Sequence, residues 1–133
     1  MDIFDTIVAK AAGISKNSPL KGALALRRDI LELTENSHEA SLRPNQPGGL
    51  NHAVRAGLAC RIAKLNNESA LARHYETMFS VGSQEFANPE VGGGNDARSK
   101  AIIRHTDLIT LNPKEATADD LSALKDAGLY DAD

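Results

Sequence analysis

The chain has 133 residues, with 15 Lys plus Arg against 18 Asp plus Glu for a net charge of −3, and two Tyr, three Phe and no Trp. A mildly acidic chain of this size is expected to form one domain over 1–133 with its own core, and it lacks the basic surplus that draws proteins to phosphate backbones, so no nucleic-acid partner is expected. Its one cysteine, Cys60, excludes an internal disulfide and a CxxC redox pair. The opening thirteen residues, with Asp2 and Asp5 among the apolar positions, are neither a signal peptide nor a membrane span, and a cytoplasmic location without membrane contact is expected.

Asp2 reads as the N-cap of a first helix that carries Ile3, Ile7, Val8 and Ala11 and ends at Gly13. Ser18-Pro19 opens a second, which runs to Arg43 on an apolar face of Leu20, Leu24, Ile30, Leu31 and Leu33, weakened at Asn36-Ser37. Two prolines and two glycines between Pro44 and Gly49 break it. Val54, Leu58, Ile62 and Leu65 then fall at intervals of four, four and three, with alanines between them, and predict the most regular helix of the chain. Asn66-Asn67 interrupts it. A helix from Glu68 with Leu71, Tyr75, Met78 and Phe79 completes a helical hairpin.

Ser80 to Asn95 contains Gly82, Pro89 and Gly92 to Gly94 and reads as a mobile connection rather than structure. Asp96 begins a helix with Ile102, Ile103 and Ile109 that stops at Asn112-Pro113. Thr117-Ala118-Asp119-Asp120 resembles a capping box and opens a helix through Leu121 and Leu124, closed by Gly128. Asp131 is a fresh start signal, from which a missing C-terminal helix and uncovered apolar surface are expected. No strand-like alternation of useful length occurs. The expected fold class is all-α, a bundle of N-terminal helices over 1–43, a core hairpin over 51–81 and C-terminal helices over 96–133.

Familiar chemistry is largely absent. Gly92-Gly93-Gly94 lacks the strand and the Lys-Ser/Thr of a phosphate loop and reads as a spacer, and neither a nucleophile elbow nor a zinc helix is present. His38, His52, His74 and His105 stand at least fourteen positions apart, so no metal site and no cofactor are expected. Cys60, mid-helix in Ala59-Cys60-Arg61-Ile62, reads as buried and inert rather than nucleophilic, with Arg55 and Arg61 the cations that could alter it. His74, between Arg73 and Tyr75, taken alone is a surface or packing residue.

The stretch Leu58-Ala59-Cys60-Arg61-Ile62-Ala63-Lys64-Leu65-Asn66-Asn67-Glu68-Ser69-Ala70-Leu71-Ala72-Arg73-His74-Tyr75 resembles the core hairpin of the carboxymuconolactone decarboxylase and alkylhydroperoxidase D-like superfamily. There an apolar helix ends in Asn-Gly and leads into Cys-x-x-Cys-x-x-His. Ile103 to Thr110, Asn112-Pro113, Ala116 to Leu121 and Ala127-Gly128-Leu129 are similar to the second half of those proteins, and Gly13-Ile14, Ser18-Pro19-Leu20 and Pro47-Gly48-Gly49-Leu50 resemble one branch of them.

The resemblance implies an alkylhydroperoxidase D-like helical bundle and a homo-oligomer. It also locates what is missing. The first redox cysteine falls on Glu68, the second on Leu71, the relay acid near Ala56, and only the histidine is matched, by His74. A dithiol peroxidase needs one thiolate to attack the peroxide and a second thiol to resolve the sulfenic acid. The expectation is therefore a protein that is no active peroxidase and no enzyme, acting as a helical oligomer with a small-molecule ligand of unknown identity. The alternatives are an acid/base decarboxylase or isomerase using His74, with Glu68 as a further candidate base, and residual peroxidase activity through Cys60.

Overall fold

A computed structural model describes all 133 residues, and it is all-α, with eight helices and no strand. The helices are α1 (Ile7–Ala11), α2 (Lys21–Ala25), α3 (Arg28–Leu42), α4 (His52–Leu65), α5 (Ser69–Glu76), α6 (Ser83–Ala87), α7 (Ala97–Leu111) and α8 (Ala118–Asp126). Contacts divide the chain into two units, Met1–Asn45 and Gln46–Asp133, and the division falls within the Pro44 to Gly49 break.

In Met1–Asn45 each expected helix is split in two. Asp2 does cap, but what it caps is a 3-10 turn, Ile3–Asp5. Thr6 then caps α1: its hydroxyl donates to the Ile3 carbonyl at 2.7 Å and accepts from Ala9 N at 3.4 Å. The Ser18–Arg43 helix is interrupted at Leu26 and Arg27, where Arg27 leaves the helical conformation with φ of −114° and ψ of 25°, and α2 buries no side chain. α3 starts instead where the Arg28 guanidinium donates to the Met1 carbonyl at 2.9 Å. Asn36-Ser37 does not weaken α3, whose second half is anchored by the Glu35 carboxylate accepting from Ile7 N at 2.7 Å. Leu31 is buried, whereas Leu20, Ile30 and Leu33 are exposed, so most of the expected apolar face finds no core within this unit.

In Gln46–Asp133 the central element is α4, which packs against α5, α6 and α7, while α8 packs on α7. Asn51 caps α4 through Val54 N at 2.9 Å. Asn67, with φ of 58°, makes the sharp joint to α5, a conformation Asn tolerates better than most residues. α5 ends at Glu76, with the Thr77 hydroxyl donating to the His74 carbonyl at 2.6 Å, so Met78 and Phe79 lie beyond the helix. Asp96 caps α7 through Ser99 N, and Asp120 closes the capping box of α8 by accepting from Thr117 N at 2.8 Å. Gly128 ends α8 with φ of +101°, which a side chain would strain. Ile102 and Ile103 are buried as expected; Ile109 and Leu121 are exposed.

The expectation that fails most clearly is the mobile connection over Ser80–Asn95. This stretch contains α6, and Ser83, Phe86 and Ala87 are among the most buried residues of the chain. The Ser83 hydroxyl donates to the Ala53 carbonyl of α4 at 2.8 Å. At Gly57 the two backbones come so close that a Cβ would strike the Ser83 carbonyl and Phe86 Cβ. The glycines and proline read as loop signals, but a missing side chain on α4 is what lets α6 dock.

Candidate functional site

The α4–α5 hairpin holds all the residues marked by the sequence. Cys60 has no exposed surface and belongs to a cluster with Ala63, Ala72 and Ala87. Its thiol donates weakly to the Ala72 carbonyl at 3.7 Å. Burial pushes the Cys60 thiol above its ordinary range, and the Lys64 ammonium offsets this only in part. Neither arginine considered as an activator reaches it. Arg55 donates to the Leu50 and Pro47 carbonyls, at 2.7 and 2.9 Å, and Arg61 is engaged elsewhere.

Glu68 is exposed at the N-cap of α5, and Leu71 packs against the Cys60 cluster. His74 is half-buried one turn beyond Leu71 and meets the Tyr75 ring edge-on, with centroids 5.5 Å apart and an interplanar angle of 69°. Burial raises the Tyr75 phenol. The motif positions thus share one short helix, with an acid, a hydrocarbon and an imidazole where a dithiol relay would need two sulfurs. Lys64 bridges to Glu76 at 3.6 Å and ties the two helices together.

Two further constellations carry no motif in the sequence. The first is Arg61, 1% exposed in the middle of α4. Its guanidinium grips Asp107 of α7 bidentately at 2.6 and 2.7 Å and donates to the carbonyls of Asn88, Pro89 and Val91 at 2.7, 3.2 and 2.9 Å. A buried arginine is tolerable only with such full pairing. The signal for it in the sequence is a charged residue inside an Ala-Cys-Ile run, matched by an Asp between the apolar positions of α7.

The second is a cleft of about 410 Å3 among α4, α7, α8 and the C-terminal residues beyond α8. Leu50, Leu58, Ile102, Leu121, Leu124 and Leu129 supply its aliphatic wall. Polar groups at its edge are already engaged: the Thr106 hydroxyl donates to the Ile102 carbonyl at 2.8 Å, and exposed Lys125 pairs with exposed Asp131 at 2.7 Å. Asp133 accepts from Gly49 N at 2.7 Å and Tyr130 N at 2.9 Å, and the Tyr130 and Gly49 amides hold its carboxyl below the usual carboxylate range. His105 also lines the cleft, and its Nδ1 is buried without a hydrogen-bond partner.

No family model, curated protein or solved structure matches the chain. Its chemistry therefore rests on its own residues. No three His, Cys, Asp or Glu side chains converge as a metal site would need. No helix is long and apolar enough to cross a membrane.

Proposed function

We propose that this chain is a carboxymuconolactone decarboxylase/alkylhydroperoxidase D-like helical protein that has no thiol peroxidase activity and acts by binding, to copies of itself and to a small molecule. The observation that carries this reading is the state of the one thiol. Cys60 is sealed where α4 meets α5, its pKa is raised rather than lowered, and the chain has no second cysteine to resolve a sulfenic acid. The hairpin, its Asn-Asn joint and the place of His74 support the family reading. Ile30 and Leu33 on one exposed face of α3, with exposed Leu26 in the joint before it, support self-association.

The test is consumption of hydrogen peroxide and of an organic hydroperoxide in the presence of dithiothreitol. The expected rate equals the protein-free rate, for the native chain and for Cys60→Ser alike. Protein-dependent turnover lost in Cys60→Ser overturns the reading and makes Cys60 the nucleophile; turnover that survives the change overturns it in favour of another group.

A further inference from the structure

The geometry points to the cleft among α4, α7 and α8 as the binding site for a small, neutral, mainly apolar molecule that carries one hydroxyl or carbonyl group, seated against His105. The inference deepens the binding role proposed above and rests on it.

Size is the first argument: about 410 Å3 falls within the range of small-molecule sites, and such sites are mostly apolar with few polar groups that fix orientation. Three helices supply the apolar wall through Leu58, Ile102 and Leu124. Chemistry is the second. Thr106 has its hydroxyl proton committed, Lys125 and Asp131 satisfy one another, and Asp133 is held by two amides. His105 lines the cleft with Nδ1 sealed from solvent and without a partner, so a ligand meets the imidazole at its other ring nitrogen rather than at Nδ1. Charge is the third. Lys125 is neutralised by Asp131, and Asp133 lies in the field of Arg98 and Arg55, so the lining offers no unpaired charge to an ionic ligand and suits a neutral one.

The experiment titrates the full chain with the neutral fluorophore N-phenyl-1-naphthylamine and then displaces it with naphthalene, 2-naphthol or 2-naphthoate. Saturable uptake of one dye per chain is expected, with 2-naphthol displacing it at roughly threefold to tenfold lower concentration than naphthalene, as one net hydrogen bond gives, and 2-naphthoate the weakest competitor. In His105→Phe, 2-naphthol and naphthalene compete equally, whatever the dye affinity of the variant; a preference for 2-naphthol that survives the change overturns the inference. Leu124→Glu, with helix content checked by circular dichroism, abolishes uptake. The inference is overturned if the native chain takes up no dye, if Leu124→Glu binds as well as the native chain, if naphthoate competes best, or if uptake falls as protein concentration rises, which would mean that a second copy covers the cleft. Failure here leaves the peroxide result untouched, and peroxide turnover with normal dye uptake would sink the redox-inactive reading alone.

Discussion

At the residue scale, Arg61 carries more of the structure than any position marked by the sequence. Replacing it with Met deletes five hydrogen bonds, leaves three backbone carbonyls to find other partners and strips Asp107 of its counterion. The expected cost is about 2–4 kcal/mol, somewhat below the usual loss for a broken buried pair because Asp107 keeps some access to water. Urea unfolding followed at the helix signal measures it. Arg61→Lys should fall well short of native stability too, since an ammonium cannot reproduce a planar fork that serves a carboxylate and three carbonyls together. A stability equal to native in both variants would show that the pairing merely balances the desolvation of the guanidinium.

At the element scale, α6 depends on one absent side chain. Alanine at position 57 would gain about 1 kcal/mol of helix propensity over glycine, but its Cβ meets the Ser83 carbonyl and Phe86 Cβ, groups that cannot rotate away. Overpacking of this kind costs about 1–3 kcal/mol and should win. Gly57→Ala is expected to lower the urea midpoint and loosen α6, seen as faster amide exchange at Phe86 and Ala87. A midpoint above native would mean that α6 is not docked on α4.

The same element marks the limit of what the chain reveals by local pattern. Helices α4, α7 and α8 are legible because apolar spacing, caps and stop signals agree locally: Asp96 and Thr117 at the starts of α7 and α8, Asn66-Asn67 and Gly128 at the ends of α4 and α8. α6 is not, because its five residues have little signal of their own. They are held by the Ser83 hydroxyl on the Ala53 carbonyl, 30 positions earlier, and by the gap at Gly57, contacts that no local window contains. The site divides in the same way. Cys60, Glu68, Leu71 and His74 stand close together in sequence within one hairpin, whereas His105 and Arg61 gain their meaning only from the helices that fold against them.

At the scale of the whole molecule, the exposed apolar residues near the N-terminus bear on the proposed self-association. Ile30 and Leu33 are 51% and 63% exposed, three positions apart on one face of α3, and Leu26, in the joint before α3, is 85% exposed. Exposed apolar groups of this kind mark association surfaces. Sedimentation at micromolar concentration is expected to show a species larger than one chain, and Leu33→Glu to shift it toward the monomer with unchanged helix content. A native chain that sediments as a monomer across that range removes self-association from the proposed function.

The guanidinium of Arg61 also sets an order of assembly. Its carboxylate partner lies 46 positions further along, and the carbonyls it holds lie 27, 28 and 30 positions further along. A nascent chain that has produced only the α4–α5 hairpin therefore contains a cation with nothing to hold and an unfilled groove at Gly57. Closing so long a loop must precede the reward for it, which makes the excised hairpin a poor miniature of this protein and makes the arrival of α7 the event that fastens everything synthesised since α4.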